Sequence, residues 1–338
     1  MFRQYLAEQI KLHLSMQPQD IIKLCYQATF GAEHLLGDMV RVKGYFDTEF
    51  LNTPENDAPL AEFLTEDVCR VNLAAWKKLK IPQEWLFNLF VQAAGVKRDG
   101  GEASFWEYMS LAEGLPFDAS EWQTAVNEYK KGGVRPVHHS EKYREAEKPA
   151  YRIISGIYTR LIPLFRHIKP EGMVVAIDGR AASGKSTMAS MLAEITEAGI
   201  VHMDDFFLPK ELRTRERFAI PGGNFHHERF AEEVLPFLRS EDAFSYRKFD
   251  CSVMDFAGVR EVAKSPLRII EGAYCCAPML GEYMDLRVFS DISPTQQHAR
   301  IEKRNGIEIA AQYTSKWIPM EEEYLQFHQI KDRAHVVL

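Results

Sequence analysis

Residues 173–187 constrain this chain most: an apolar run, Met173 to Ile177, runs into Asp178 and the nonamer Gly-Arg-Ala-Ala-Ser-Gly-Lys-Ser-Thr. The run predicts a buried parallel strand. Gly179, Gly184, Lys185 and Ser186 then satisfy G-x-x-x-x-G-K-S, a phosphate-binding loop between strand and helix. Its small residues let successive N–H groups face inward and cradle phosphate oxygens. A helix starting at about Lys185 adds its positive dipole end. The nucleotide-binding segment is therefore Gly179, Arg180, Ala181, Ala182, Ser183, Gly184, Lys185, Ser186 and Thr187. Within it Lys185 is expected to reach the β- and γ-phosphates, and Ser186 to ligate Mg²⁺.

Downstream, strand-like and helical stretches alternate, the pattern of a parallel sheet covered by helices on both faces. Expected strands are Met173–Ile177, Ile200–Met203, Leu267–Ile270, Leu286–Phe289 and Ala334–Leu338. Ser293, Pro294 and Gln296 make a strong helix start. Residues 1–148 read instead as a mainly α-helical domain of unassigned role. Pro18 and Pro82 open helices, Asp118 or Ser120 caps another, and Gly100-Gly101 and Gly132-Gly133 break the pattern. Its aromatic stripes, such as Trp85, Leu86, Leu89, Phe90 and Ala93, read as core. A helix over Ile153, Ile154, Ile157, Leu161 and Phe165 is expected to lead into the loop strand. The domain boundary then falls near 135–150, giving 1–148 and 149–338.

With 338 residues the chain can hold two cores, and its net charge of −7 gives no support to nucleic-acid binding. Five scattered cysteines form neither a metal ribbon nor a disulfide framework. No apolar run approaches membrane length, and the start has no signal-peptide core. The expectation is a cytoplasmic protein without membrane partners, with self-association left open.

Ligands in such sheets bind beyond the carboxyl ends of the strands, so acids placed there carry the chemistry. Asp204 and Asp205 follow the strand ending at Met203. Asp204 is expected to face the γ-phosphate, take a proton from an acceptor hydroxyl, and help hold Mg²⁺. Glu271 closes the apolar run Leu267–Ile270 and is expected at the metal with Ser186. Arg300, Lys303 and Arg304 share a helical face, and Arg300 and Arg304 are expected to clamp the transferring phosphoryl. Gly306 ends that helix. Two loop-like stretches, Pro221–His227 and Phe244–Asp250, offer polar and aromatic groups to a small acceptor. Asp205, Phe207, Asn224, His226, Tyr246 and Asp250 are the candidate acceptor residues.

In the first half, Glu33, His34, Asp38, His138 and His139 are of types that suit divalent metals. Their spacing matches no metal motif, so His34 also reads as a core or capping residue and His138-His139 as loop.

Over 170–338 the phosphate loop, Met-Asp-Asp-Phe-Phe (203–207), Ile-Ile-Glu-Gly-Ala-Tyr (269–274), Asp-Leu-Arg-Val-Phe (285–289) and Arg-Ile-Glu-Lys-Arg-Asn-Gly (300–306) resemble the uridine kinase and nicotinamide riboside kinase group of P-loop kinases. The resemblance implies a nucleoside-kinase-like fold, ATP or GTP with Mg²⁺ as donor, and a primary hydroxyl as acceptor. It puts Asp204 at the family's catalytic acid, Glu271 at its second acid, and Arg300 and Arg304 in its lid. Uridine kinases hold the ribose with an Asp in Asn-aromatic-Asp-His, where this chain has Asn224-Phe225-His226-His227. Their Tyr-Asp-Phe base segment is here Tyr246–Asp250. Phosphate chemistry thus transfers more directly than acceptor identity. The expected activity is ATP-dependent phosphorylation of a small-molecule hydroxyl, first a nucleoside. Pantothenate-like or sugar acceptors, and a slow nucleotide switch, are the alternatives.

Overall fold

The computed structural model describes residues 1–96, 98 and 101–338, except the side chain of Glu33. Gly100 of the expected chain break lies outside the described residues. The chain divides into two compact units, Met1–Ile162 and Pro163–Leu338.

The first unit carries α1 (Phe2–Leu12), α2 (Pro18–Phe30), α3 (Met39–Asn52), β1 (Ala61–Thr65), β2 (Val68–Asn72), α4 (Leu73–Lys78), α5 (Gln83–Gly95), α6 (Glu102–Leu111), α7 (Ala119–Lys131), α8 (Glu141–Glu147) and β3 (Tyr151–Ser155). Local chemistry sets the helix starts. Pro18 opens α2, where Gln17 and Asp20 form a capping box, and the Asp118 carboxylate accepts from the amides of Ser120 and Glu121 at the start of α7. The aromatic stripes are core: Trp76, Phe90 and Phe105 are fully buried.

Two expectations change here. A three-stranded antiparallel sheet, ordered β1-β2-β3, accompanies the helices. The segment read as a helix through Ile153 and Ile154 is its third strand. Arg70 faces Ile153 and Cys69 faces Ile154 across the ladder, and a 3-10 helix, Gly156–Arg166, comes next. The β-branched pair packs better on a pleated surface than in a helix. Because β3 pairs with β2, the compact division falls at Ile162/Pro163, after the expected boundary at 148/149.

The second unit holds β4 (Met173–Gly179), α9 (Lys185–Thr196), β5 (Gly199–His202), α10 (Arg215–Phe218), α11 (His227–Glu233), β6 (Phe244–Asp250), β7 (Asp255–Val262), β8 (Leu267–Glu271), β9 (Leu286–Ser290), α12 (Pro294–Asn305), α13 (Ile307–Gln312), α14 (Ile318–Phe327) and β10 (Val336–Val337). Five strands form a sheet ordered β10-β9-β4-β8-β5, parallel throughout. Every residue of β4 and β8 is buried, as a sheet covered on both faces requires. Each buried Val or Ile there contributes about 1.5–3 kcal/mol. The stretch Phe244–Asp250, expected as a loop, is instead β6, paired with β7 in an antiparallel hairpin. Its alternating burial at Phe244 and Tyr246 fits a strand with one covered face. No helix among the described residues is long and apolar enough to cross a membrane.

Candidate active site

Sheet register builds the site. Ile177 of β4 faces Glu271 of β8, and Glu271 faces His202 of β5. The carboxyl ends of three adjacent strands are thus level, and the chain leaves all three along one edge of the sheet. After β4 comes the phosphate loop, after β8 Gly272, and after β5 the acids Asp204 and Asp205.

The loop is held from below and outside. Gly179 adopts φ 136°, and a Cβ there would lie 2.1 Å from the Ser290 carbonyl oxygen of β9, so only glycine fits. Asp178, fully buried, accepts from the amides of Gly179 (2.7 Å), Tyr274 (3.3 Å) and Cys276 (3.0 Å) and from the Tyr324 hydroxyl (2.7 Å). It ties the loop to β8's exit and to α14. Burial raises its pKa, against those hydrogen bonds. Arg180 is clamped by Glu322 and Asp291. Glu321 of α14, 5% exposed, accepts from the Ala181 amide at 2.8 Å. Burial pushes its carboxyl up to about 7, with Lys185 opposing. Sequence reading missed Asp178, Glu321 and Glu322. Asp178 sat in plain view between strand and loop, whereas Glu321 lies 140 residues beyond Ala181 and carries no motif.

Lys185, at the first turn of α9, lies over the loop and donates to the carbonyls of Gly179 (2.7 Å) and Arg180 (2.9 Å). Ser186 Oγ donates to Glu271 Oε2 at 2.9 Å, and His202 Nδ1 donates to Glu271 Oε1 at 2.6 Å. Glu271 is 3% exposed, so His202 fixes its orientation in a low-dielectric setting. Asp204 is accessible to solvent yet hemmed in by protein. Desolvation, then the nearby Glu271 charge, raise its carboxyl above the usual range. Two acids and a hydroxyl crowded together are hard oxygen donors, and a cation between them relieves their repulsion. These residues fit Mg²⁺, with Ser186 and Glu271 as the touching pair. Arg300 of α12 donates to the Ala182 carbonyl at 3.1 Å. Arg304, expected beside it, turns instead to Asn305 Oδ1.

The candidate acceptor residues are placed as supports. Asp205 is 3% exposed and takes Arg260 Nε (2.7 Å) and the Tyr246 hydroxyl (3.0 Å). Tyr246 is itself buried, and its hydroxyl accepts from the His202 amide at 2.9 Å. Phe207 bridges Phe225 through the backbone. Asn224 is buried against Tyr274. His226 caps α11, its Nδ1 accepting from the Arg229 amide at 3.2 Å. Asp250 caps the hairpin tip through Ser252. An open cavity of about 450 Å³ lies between β5 and the hairpin, walled by His202, Lys248, Arg260 and Glu261 among others.

Among the described residues the first unit's metal candidates do not converge on a ligand group. Asp38 caps α3, His34 lies edge-on to Tyr26 at 5.3 Å, and His139 is hydrogen-bonded to Asp20. Glu33's side chain lies outside the described residues. Among the described residues, Asp178, Cys275 and Cys276 do group closely, but Asp178 already receives four hydrogen bonds.

No family model matches the chain, and no curated protein matches it. Solved structures do. A structure described as that of a possible uridine kinase from Bacillus stearothermophilus is 22% identical, with TM-score 0.39, over 53% of this chain and 96% of that one. A provisionally named fructose transport system kinase from Silicibacter sp. TM1040 is 24% identical, with TM-score 0.40, over 50% of this chain and 91% of that one. In both, the similarity spans about half of this chain and nearly all of the other.

Proposed function

We propose that the second unit is an ATP-dependent kinase that transfers the γ-phosphoryl group to a hydroxyl of a small polar molecule, first a nucleoside. The observation that carries this reading is the Ser186–Glu271 contact of 2.9 Å at the mouth of the phosphate loop, with Asp204 beside it. A binding module needs the cradle; it does not need a second acid poised above it.

In this reading the backbone of Gly179–Thr187 and Lys185 hold the phosphates. Ser186, Glu271 and Asp204 would hold Mg²⁺, which would supply charge neutralisation on the donor phosphates. Glu271 is aimed by His202. Asp204 accepts the acceptor's hydroxyl proton. Arg300 adds positive charge where charge develops on the phosphoryl oxygens. The charged walls of the adjacent cavity suit a polar acceptor rather than an apolar one.

The test is a panel of nucleosides, sugars and pantothenate-like alcohols assayed for acceptor-stimulated ADP release. Stimulation by one class, and its loss in Glu271→Gln, supports the reading. Acceptor-independent hydrolysis across the whole panel favours a nucleotide switch.

A further inference from the structure

The first unit gathers basic groups that phosphoryl transfer does not use. Asp20, Lys23 and Gln27 lie at i, i+3 and i+7 on α2, so they share one face. The segment 137–140 lies along that face. Gln19 donates to the His138 carbonyl (2.8 Å) and Lys23 to the Val137 carbonyl (3.1 Å). Asp20 accepts from His139 Nδ1 (2.8 Å) and from the Ser140 amide (2.9 Å) and hydroxyl (2.6 Å).

From β2, Arg70 stacks 4.3 Å over the Tyr151 ring and donates Nη2 to Gln27 Oε1 (3.0 Å) and to the Tyr151 hydroxyl (3.2 Å). Tyr151 also accepts from Gln27 Nε2 (3.1 Å) and donates to His139 Nε2 (2.6 Å). Asp20 thereby fixes the tautomer of His139 that leaves Nε2 as acceptor.

The hydrogen bonds around Tyr151 balance, but the charges do not. Arg70 is 4% exposed, its Nε has no partner, and no carboxylate of the described residues forms an ion pair with it. Two other buried arginines also leave Nε unpartnered, yet they meet more oxygen. Arg268 reaches the carbonyls of Ala263, Ser240 and Asp242, and Arg229 reaches Glu233 and two carbonyls. Arg70 has one amide oxygen and one phenol. The next acid, Glu62, is engaged by Tyr5.

At two neighbours positive charge adds to the effect of burial. Burial first, and Arg70 next, push Lys23 down to about 8. Burial, then Lys23 and His138, push His34 down to about 4. Exposure falls off inward, from exposed His34 and His138, through half-buried Lys23 and Tyr151, to buried His139 and Arg70. In a chain of net charge −7, these bases gather among the described residues around Asp20, which is satisfied by His139 and Ser140, while Glu62 is engaged by Tyr5.

We propose that this cluster binds an oxyanion, the carboxylate or phosphate group of a small molecule, with Arg70 and Tyr151 at its floor and Lys23 and His138 at its rim. Arg70 supplies the planar fork and Lys23 a point charge.

The experiment uses the full chain in a Lys185→Ala background, which weakens the phosphate loop's own hold on phosphate. Inorganic phosphate, succinate and, at matched ionic strength, chloride are titrated by calorimetry. The proposal expects saturable heat from phosphate or succinate, none from chloride, and about a tenfold or greater loss of affinity in Lys23→Gln and Arg70→Gln. Which anion binds separates the phosphate from the carboxylate source. Absence of saturable heat from both anions overturns the proposal, as does unchanged affinity in the variants. Should Arg70→Gln fail to fold, the half-buried Lys23→Gln decides alone.

Discussion

Replacing Glu321 with Gln isolates the electrostatic cost of holding the phosphate loop from outside. Gln keeps an oxygen for the Ala181 amide, which Glu321 Oε2 meets at 2.8 Å, and removes the charge. In the folded chain burial raises Glu321 from 4.5 to about 7, Asp178 and Glu322 add to it, and Lys185 opposes. The folded state therefore binds this proton more tightly than the unfolded state does. The stabilisation from that proton is full below 4.5 and is lost as pH rises through about 7. A shift of this size amounts to about 3 kcal/mol of stability lost on the alkaline side. Glu321→Gln, which has nothing to ionise, should then match wild type in acid and exceed it by about 2–3 kcal/mol above neutrality. Urea unfolding across this range measures the gap, with amide exchange in Ile318–Phe327 reporting on the second unit alone. A gap that does not change with pH, or a variant less stable than wild type above neutrality, refutes the reasoning.

The same geometry fixes four other outcomes. Asp204→Asn should keep nucleotide affinity and lose turnover by about 10²-fold or more, in an assay that separates binding from ADP release. Asp205→Asn should instead lower stability by about 2 kcal/mol, less than for a fully buried pair because Arg260 is partly exposed, and this is read in urea melts. Arg300→Ala should cost turnover on the order of 10²-fold, as for loss of one charge-stabilising group, while Arg304→Ala should cost far less; near-equal losses would place both arginines at the phosphoryl group. A fragment 163–338 should stay soluble and bind ATP. A fragment starting at 149 carries β3 without its partner β2 and should aggregate more, as light scattering would record.

The sheet was legible because its strands read as mostly apolar runs, unbroken at Met173–Ile177 and interrupted by a single arginine in Leu267–Ile270 and Leu286–Phe289. Asp204 and Glu271 were legible for a related reason: each is a charge directly at the end of such a run. The hairpin of β6 and β7 was not, because β6 alternates buried and exposed positions and carries Arg247, Lys248 and Asp250, which resemble a polar loop, and β7 is exposed along nearly its whole length. Ile153 and Ile154 misled because they continue the helical spacing of Ile157, Leu161 and Phe165, and pairing with Cys69 and Arg70 is what makes them a strand. The partners of individual acids are long-range. Nothing local in Asp205 announces Arg260, 55 residues away, or in Glu321 the Ala181 amide. His202 was hidden because it ends a strand and acts on Glu271, the acid of another strand.

The most direct test of the central claim tracks the fate of the phosphoryl group itself. The purified chain is incubated with ATP labelled at the γ-position and with the acceptor that most stimulates ADP release, and the products are separated. Label should appear on the acceptor, one phosphoryl for each ADP formed, and the transfer should vanish in Lys185→Ala, where the positive charge beside the β- and γ-phosphates is lost. Label found only in inorganic phosphate, whatever acceptor is present, would contradict the account and leave a nucleotide-hydrolysing switch in its place.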